Sequence, residues 1–86
     1  MTASNPMVIA RYFHPSSSMT WYATEYNVDE EVFYGYVTGF QFPEWGSFSL
    51  REFIELQLPY GLKIERDLWF TPKPIKQALK DDGQEL

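Results

Sequence analysis

Seven residues carry either an aromatic ring or a carboxylate. Proteins use these two kinds of side-chain group to bind cations and planar ligands. The seven residues are Tyr26, Asp29, Glu30, Glu31, Tyr34, Tyr36 and Trp45. The three acids among them form the densest acidic run of the chain, and the aromatic residues stand on either side of it. This pattern predicts a surface that binds a protein with a basic surface, and these seven residues are the candidates for it.

The same tyrosines could instead stack on the bases of a single-stranded nucleic acid. Proteins of that kind normally bind through a positively charged groove, whereas residues 1–47 carry five acidic side chains and one basic one, Arg11. The net charge of −5 therefore favours a basic protein as the partner and leaves single-stranded nucleic acid as the alternative. Against such a stacking platform, the pattern favours cross-strand packing of the aromatic rings in the small core of a chain with only 86 residues.

Catalytic groups are sparse in this sequence. Three serines follow His14, the only histidine, but no third group orients its imidazole as a hydrolase requires. Glu25 lies between aromatic residues and would need a second titratable group to act as a general acid. The chain has no cysteine and no carboxylates at the spacing of metal ligands. We therefore predict a protein that is not an enzyme and that holds no metal or cofactor.

One arginine stands where a structural ion pair is expected. Arg66 lies between two acids in a segment, residues 62–70, that alternates apolar and polar side chains. On a strand, Arg66 points to the side that carries the apolar residues. Because a partly buried arginine is usually paired, we predict a structural ion pair of Arg66 with Glu25 or Glu52, with a role in recognition as the alternative.

The clearest helix signal lies in residues 49–58. Ser49 and Glu52 have the spacing of a capping box, which predicts that a helix begins at Ser49. Proline and glycine at positions 59 and 61 would end it. Its apolar side chains recur at helical spacing and predict one buried stripe. They are Leu50, Phe53, Ile54 and Leu58.

Four other segments have strand patterns: residues 7–13, 20–26, 32–40 and 62–70. A connection of about five residues between the second and third predicts an antiparallel hairpin. Strict alternation in the second places Trp21, Ala23 and Glu25 on one face. A short helix over residues 75–80 follows two prolines. These elements predict an α+β fold in which an antiparallel sheet of about four strands packs on one capped helix, with the short C-terminal helix at an edge.

The length predicts one domain over residues 1–86, with residues 1–6 and 81–86 frayed. The N-terminus has no basic segment followed by an apolar run, and no stretch approaches about 18 consecutive apolar residues. We therefore expect a cytoplasmic protein with no membrane partner.

Four segments carry a family resemblance: residues 21–26, 33–39, 46–53 and 61–72, of which the run Gly-Leu-x-Ile-Glu-Arg-Asp at 61–67 is the most specific. In this order they resemble the small bacterial family called domain of unknown function 2958. The resemblance implies no catalytic or binding residue, because the family has no assigned activity. It implies an accessory protein of plasmids, phages or integrative elements. We expect a non-catalytic, protein-binding module, with action against host defence as one candidate role.

Overall fold

A five-stranded antiparallel sheet lies at the centre of this protein. The structure is a computed structural model that describes residues 5–39, 42–55 and 61–84. In chain order its elements are β1 (Met7–Val8), β2 (Ala10–Phe13), β3 (Thr20–Asn27), β4 (Val32–Thr38), β5 (Glu44–Ser49), α1 (Leu50–Glu55), β6 (Glu65–Arg66), β7 (Lys73–Pro74) and α2 (Ile75–Asp81). The strand order in the large sheet is β5-β4-β3-β2-β6, and β1 pairs with β7 in a sheet of two strands. The predicted α+β class is confirmed, with one strand more than expected in the main sheet.

The main sheet separates two hydrophobic clusters, one for each helix. The first contains Phe53 of α1 and six buried residues of the strands: Ala10, Tyr12, Trp21, Ala23, Phe33 and Phe48. The second contains the apolar side of α2 with Val8, Tyr22 and Tyr36. We predicted α2 at an edge of the sheet, but it contributes to a core of its own. The reason is that Ile75, Ala78 and Leu79 recur at helical spacing and form an apolar stripe that must be buried.

Strand β3 contains a β-bulge at Thr24. Ala23 pairs with Gly35 and Glu25 pairs with Tyr34, so Thr24 is the extra residue in the ladder. Its hydroxyl donates a hydrogen bond of 3.1 Å to the carbonyl oxygen of Tyr34. Because directly paired residues share a face, Glu25 lies on the side of Tyr34 rather than on that of Ala23. The alternation predicted for this strand is therefore wrong after Ala23.

Strand β5 is six residues long and lies outside the four segments for which the sequence predicted strands. Two aromatic contacts between β5 and β4 stabilise this strand. The rings of Trp45 and Tyr36 lie 5.1 Å apart, and those of Phe48 and Phe33 lie 5.6 Å apart on the other face. This packing on both faces outweighs the weak strand propensity that Pro43 and Gly46 confer.

The strand predicted over residues 62–70 is reduced to two residues. Only Glu65 and Arg66 pair with β2. The side chain of Asp67 then accepts the N–H of Trp69 at 3.0 Å and closes a turn. As a result Leu68 and Trp69 are 84% and 94% exposed. The predicted strand over residues 7–13 is likewise divided, into β1 and β2, with Ile9 exposed between them.

Helix α1 begins where its cap predicts. The Ser49 hydroxyl accepts the backbone N–H of Arg51 at 3.1 Å, and the first helical residue is Leu50. Phe53 is buried, but Ile54 is 70% exposed, so the apolar stripe is narrower than expected. The predicted fourth member of the stripe, Leu58, lies outside the described residues.

Helix α2 ends at Asp81, and the carboxylate of Asp82 bonds to the side chains of Arg11 and Tyr22 in the sheet. Within the described part of the chain, no helix is long and apolar enough to cross a membrane.

Candidate functional site

The acidic run forms the tip of the β3–β4 hairpin, where Asp29, Glu30 and Glu31 are all exposed. Asn27 begins the turn, since its side-chain oxygen accepts the N–H of Glu30 at 3.0 Å. Glu31 ends it in the left-handed conformation, with φ 57°. The Glu31 carboxylate lies 3.9 Å from the guanidinium of Arg51, and both side chains are exposed. An ion pair of this kind contributes between zero and about 1 kcal/mol.

A pocket of about 330 Å³ lies beside this hairpin, and we call it the hairpin pocket. Most of the residues that line it are acidic, aromatic or hydroxyl-bearing: Glu25, Glu30, Tyr26, Phe33, Tyr34 and Ser47. The bulge at Thr24 explains the position of Glu25, because it pairs this carboxylate with Tyr34. Without the bulge, Glu25 would lie on the opposite face.

The hairpin pocket brings together three of the seven candidate residues, namely Tyr26, Glu30 and Tyr34. Tyr26 is 41% exposed, and its ring contacts Phe33 at a distance of 4.6 Å between centroids. Asp29 and Glu31 lie on the turn and do not line this pocket. Their charges still add to the negative field around it.

The other two candidates lie on the face of the sheet that α2 covers. Tyr36 is only 7% exposed and belongs to the second hydrophobic cluster, so it is a core residue. Trp45 is half-buried and packs against the same cluster. Its ring stacks on Tyr34, with centroids 6.0 Å apart and an angle of 13° between the planes.

The predicted ion pair of Arg66 is not formed. Arg66 is exposed, and in the described part of the chain neither Glu25 nor Glu52 lies within ion-pair distance of it. The strand pattern misled here because β6 is a two-residue edge strand, where an arginine side chain can extend into water.

Arg11 makes the partly buried ion pairs instead. Its Nε lies 2.9 Å from Oδ2 of Asp82, and its Nη1 lies 3.3 Å from Oδ2 of Asp67. Burial alone would lower the pKa of Arg11, but the hydrogen bond and charge of Asp82 outweigh it and raise that pKa. The buried Tyr22 hydroxyl donates to the same Asp82 oxygen at 2.5 Å. Burial raises the pKa of Tyr22, and its bond to Asp82 raises it further.

These bonds of Arg11 and Tyr22 to Asp82 tie the end of α2 to the sheet, and the sequence did not predict them. The only available signal was that Arg11 is the single basic residue among residues 1–47. Its two partners are 56 and 71 positions away, so no local pattern connects them. The arrangement has the character of a structural anchor, since every charged or polar group in it has a partner.

His14 and Ser16 form a local turn rather than a reactive pair. The Ser16 hydroxyl lies 3.3 Å from Nδ1 of His14, but the Ser16 backbone N–H donates to the same nitrogen at 3.1 Å. A nitrogen that accepts this backbone bond is poorly placed to take a proton from the hydroxyl. Among the residues that the structure describes, no three His, Asp or Glu side chains are grouped as metal ligands.

A second pocket, of about 410 Å³, lies on the α1 side of the sheet beside β5, and we call it the Gly46 pocket. Its lining is mostly apolar and includes Trp21, Val37, Phe48 and Phe53. Polar side chains also line it, namely His14, Glu44 and Glu52. Sequence reasoning assigned Glu52 to an ion pair and overlooked the space left by a glycine in an edge strand.

Comparison with known protein families matches residues 1–80 to the family described as protein of unknown function (DUF2958). This range contains both sheets, all of α1, the residues that line both pockets, and α2 up to Lys80. No curated protein and no solved structure matches the chain. The match confirms the resemblance carried by the four sequence segments, and the chain therefore belongs to the DUF2958 family.

Proposed function

We propose that this protein is a non-catalytic protein-binding module that takes a lysine or arginine side chain of its partner into the hairpin pocket. The observation that carries this proposal is that two acidic residues, Glu25 and Glu30, line one pocket together with the aromatic residues Tyr26 and Tyr34. A cation gains from carboxylates through charge-assisted hydrogen bonds and from aromatic faces through their quadrupole.

The charge around the pocket supports the same kind of partner. Asp29 and Glu31 stand exposed on the turn next to it, and the whole chain carries a net charge of −5. Such a field raises the association rate of a basic surface and opposes an acidic one. A partner protein with a basic surface therefore fits this side of the molecule.

The shape of the hairpin pocket supports binding rather than catalysis. It is partly open to solvent, so a side chain of a partner can enter it. A reaction that depends on excluding water would need a more enclosed site. By family resemblance, the proposed setting is the bacterial cytoplasm, where the protein acts as an accessory of a mobile genetic element, and a host defence protein is the candidate partner.

The test uses Nα-acetyl-lysinamide as a probe and NMR chemical shifts as the readout. We expect the probe to shift the backbone amides of Glu25, Tyr26 and Tyr34. Replacement Glu30→Gln removes one pocket carboxylate and should weaken binding by roughly tenfold, as expected for loss of a charge-assisted hydrogen bond.

Asp29→Asn is the matched control, because it removes the same charge from the same turn but outside the pocket. We expect it to weaken binding by less than about twofold, since its exposed charge acts only through the screened field. Equal losses in the two variants would mean that the field alone attracts the probe. Absence of any shift at millimolar probe concentrations would reject the pocket as a cation site.

A second candidate function is binding of single-stranded nucleic acid, favoured by the near-parallel stacking of Tyr34 on the half-buried Trp45. Such binding would quench tryptophan fluorescence on addition of oligothymidylate at low ionic strength and would reverse with salt. No quenching under these conditions would eliminate this candidate.

A further inference from the structure

We infer that β5 is a docking edge on which an extended, basic segment of a partner protein adds a further strand and places one apolar side chain in the Gly46 pocket. This inference adds a second contact to the proposed function. It rests on that function only for the nature of the ligand, a basic segment of a protein. The surface involved is the opposite side of β5 from β4. Among the described lining residues, the Gly46 pocket shares only Ser47 with the hairpin pocket.

The two edges of the main sheet differ in the way that such docking requires. Edge strand β6 has two residues, and both are charged. Edge strand β5 has six residues, of which only Glu44 is charged. Within the described part of the chain, β5 pairs with β4 alone, and no described strand bonds to the backbone groups on its outer side. Proteins usually protect long edges with charges, proline or bulges, and the interior of β5 has none of these.

The Gly46 pocket lies where a side chain of an added strand would fall. Gly46 pairs with Gly35, and Phe48 pairs with Phe33, so Gly46 belongs to the face that carries the α1 core. A Cβ built on Gly46 meets no atom within 4 Å. The missing side chain thus leaves an opening above Phe48 and Phe53 that a large apolar residue of a neighbouring strand can fill.

The acidic residues at the Gly46 pocket favour a basic segment as its ligand. Glu44 and Glu52 line it, and both are exposed. On an added strand, the side chains two positions from the apolar residue lie on the same face, one of them opposite Glu44. Lysine or arginine there would complement these carboxylates. A second copy of this chain fits poorly, because each copy carries a net charge of −5 and would bring its own glutamates to the same edge.

The probe is a synthetic peptide of the pattern Thr-Lys-Thr-Phe-Thr-Lys-Thr, which places phenylalanine and both lysines on one face of a strand. We expect it to shift the backbone amides of Glu44–Ser49 and the indole N–H of Trp21 in NMR spectra of the full chain. Replacement of its phenylalanine by alanine should weaken binding by roughly tenfold, the value of burying one aromatic side chain. Replacement of its lysines by glutamate should abolish binding.

The matched protein variants are Gly46→Leu, which fills the pocket, and Glu30→Gln, which alters only the hairpin pocket. We expect that the Gly46→Leu variant does not bind the peptide and that the Glu30→Gln variant binds it as the unaltered protein does. The spectrum of Gly46→Leu away from β5 reports whether the fold persists, and the alanine peptide tests the pocket without any change to the protein.

Peptide binding that survives in Gly46→Leu would overturn the inference. If the peptide is then lost in Glu30→Gln, the hairpin pocket is the binding site and the proposed function stands without this edge. Sedimentation experiments give a further outcome that would overturn the inference: a dimer of the unaltered protein that is absent in the Gly46→Leu variant. A second copy of the chain would then occupy β5. Loss in Gly46→Leu together with a negative lysine test at the hairpin pocket would support this edge and reject only the hairpin site.

Discussion

Gly46 lies directly opposite Gly35 in the β4–β5 pair, yet the two glycines have opposite surroundings. A Cβ at Gly35 would overlap the carbonyl oxygen of Tyr22 in the adjacent strand β3. A Cβ at Gly46 would meet only open space. The absence of a side chain therefore permits close strand packing at one position and creates a pocket at the other.

We predict that Gly35→Ala destabilises the fold, because backbone and not a flexible side chain occupies the space of the new methyl group. The free energy of unfolding should fall by about 1–3 kcal/mol, the usual cost of overpacking. Gly46→Ala should leave it within about 0.5 kcal/mol or raise it slightly, since alanine restricts the unfolded chain. Urea unfolding of the two variants measures both values, and similar losses in both would contradict this structural difference.

Arg11 and Arg66 should contribute very differently to stability. Arg11→Ala removes two ion pairs from a side chain that is only 20% exposed. We expect a loss of about 2 kcal/mol, because the Asp82 carboxylate would remain bonded only to Tyr22. Arg66→Ala removes an exposed side chain and should change the free energy of unfolding by less than about 0.5 kcal/mol. Thermal unfolding measures the loss of stability in both variants. A larger loss for Arg66→Ala than for Arg11→Ala would indicate that Arg66 forms the ion pair predicted from the sequence.

Stability should decline at alkaline pH through the buried tyrosines. Burial raises the pKa of Tyr22, with help from its bond to Asp82, and burial also raises the pKa of Tyr12. An unfolded tyrosine ionises at about pH 10. Above that pH the unfolded state releases a proton that the native state retains, so unfolding becomes easier as pH rises. We expect a loss of up to about 1.4 kcal/mol per pH unit for each such tyrosine.

Tyr22→Phe separates this effect from other alkaline titrations. The variant should be less stable at neutral pH by about 1 kcal/mol, because it lacks the hydrogen bond to Asp82. Its stability should also fall less steeply above about pH 10. Urea unfolding at several pH values gives both quantities. An unchanged slope would mean that Tyr22 does not titrate differently in the native and unfolded states.

The cap of α1 gives a further test. Ser49→Ala removes the acceptor of the Arg51 N–H and should cost about 1 kcal/mol. Ser47→Ala is the control, since Ser47 is an exposed serine of the same strand that precedes the helix. Chemical denaturation of both variants checks this, and a change below about 0.3 kcal/mol for Ser49→Ala would place the helix start elsewhere.

Local patterns in the amino-acid sequence determine several elements of this protein. The Thr20–Asn27 and Val32–Thr38 strands follow from their strand-forming residues and the short connection between them, and the prolines before α2 indicate where it begins. The start of α1 follows from Ser49, because a cap depends on groups within a few residues of each other. The acidic tip of the hairpin is also visible as a run of three neighbouring acids.

The site itself depends on interactions that no local pattern contains. The bulge at Thr24 places Glu25 beside Tyr34, and only the ladder between two strands reveals that register shift. The partners of Arg11 lie 56 and 71 positions away. Likewise, Gly46 forms a pocket while Gly35 forms a close strand contact, although both are strand glycines in the sequence. Tertiary packing decided these features, because the neighbours of a side chain across a sheet come from distant parts of the chain.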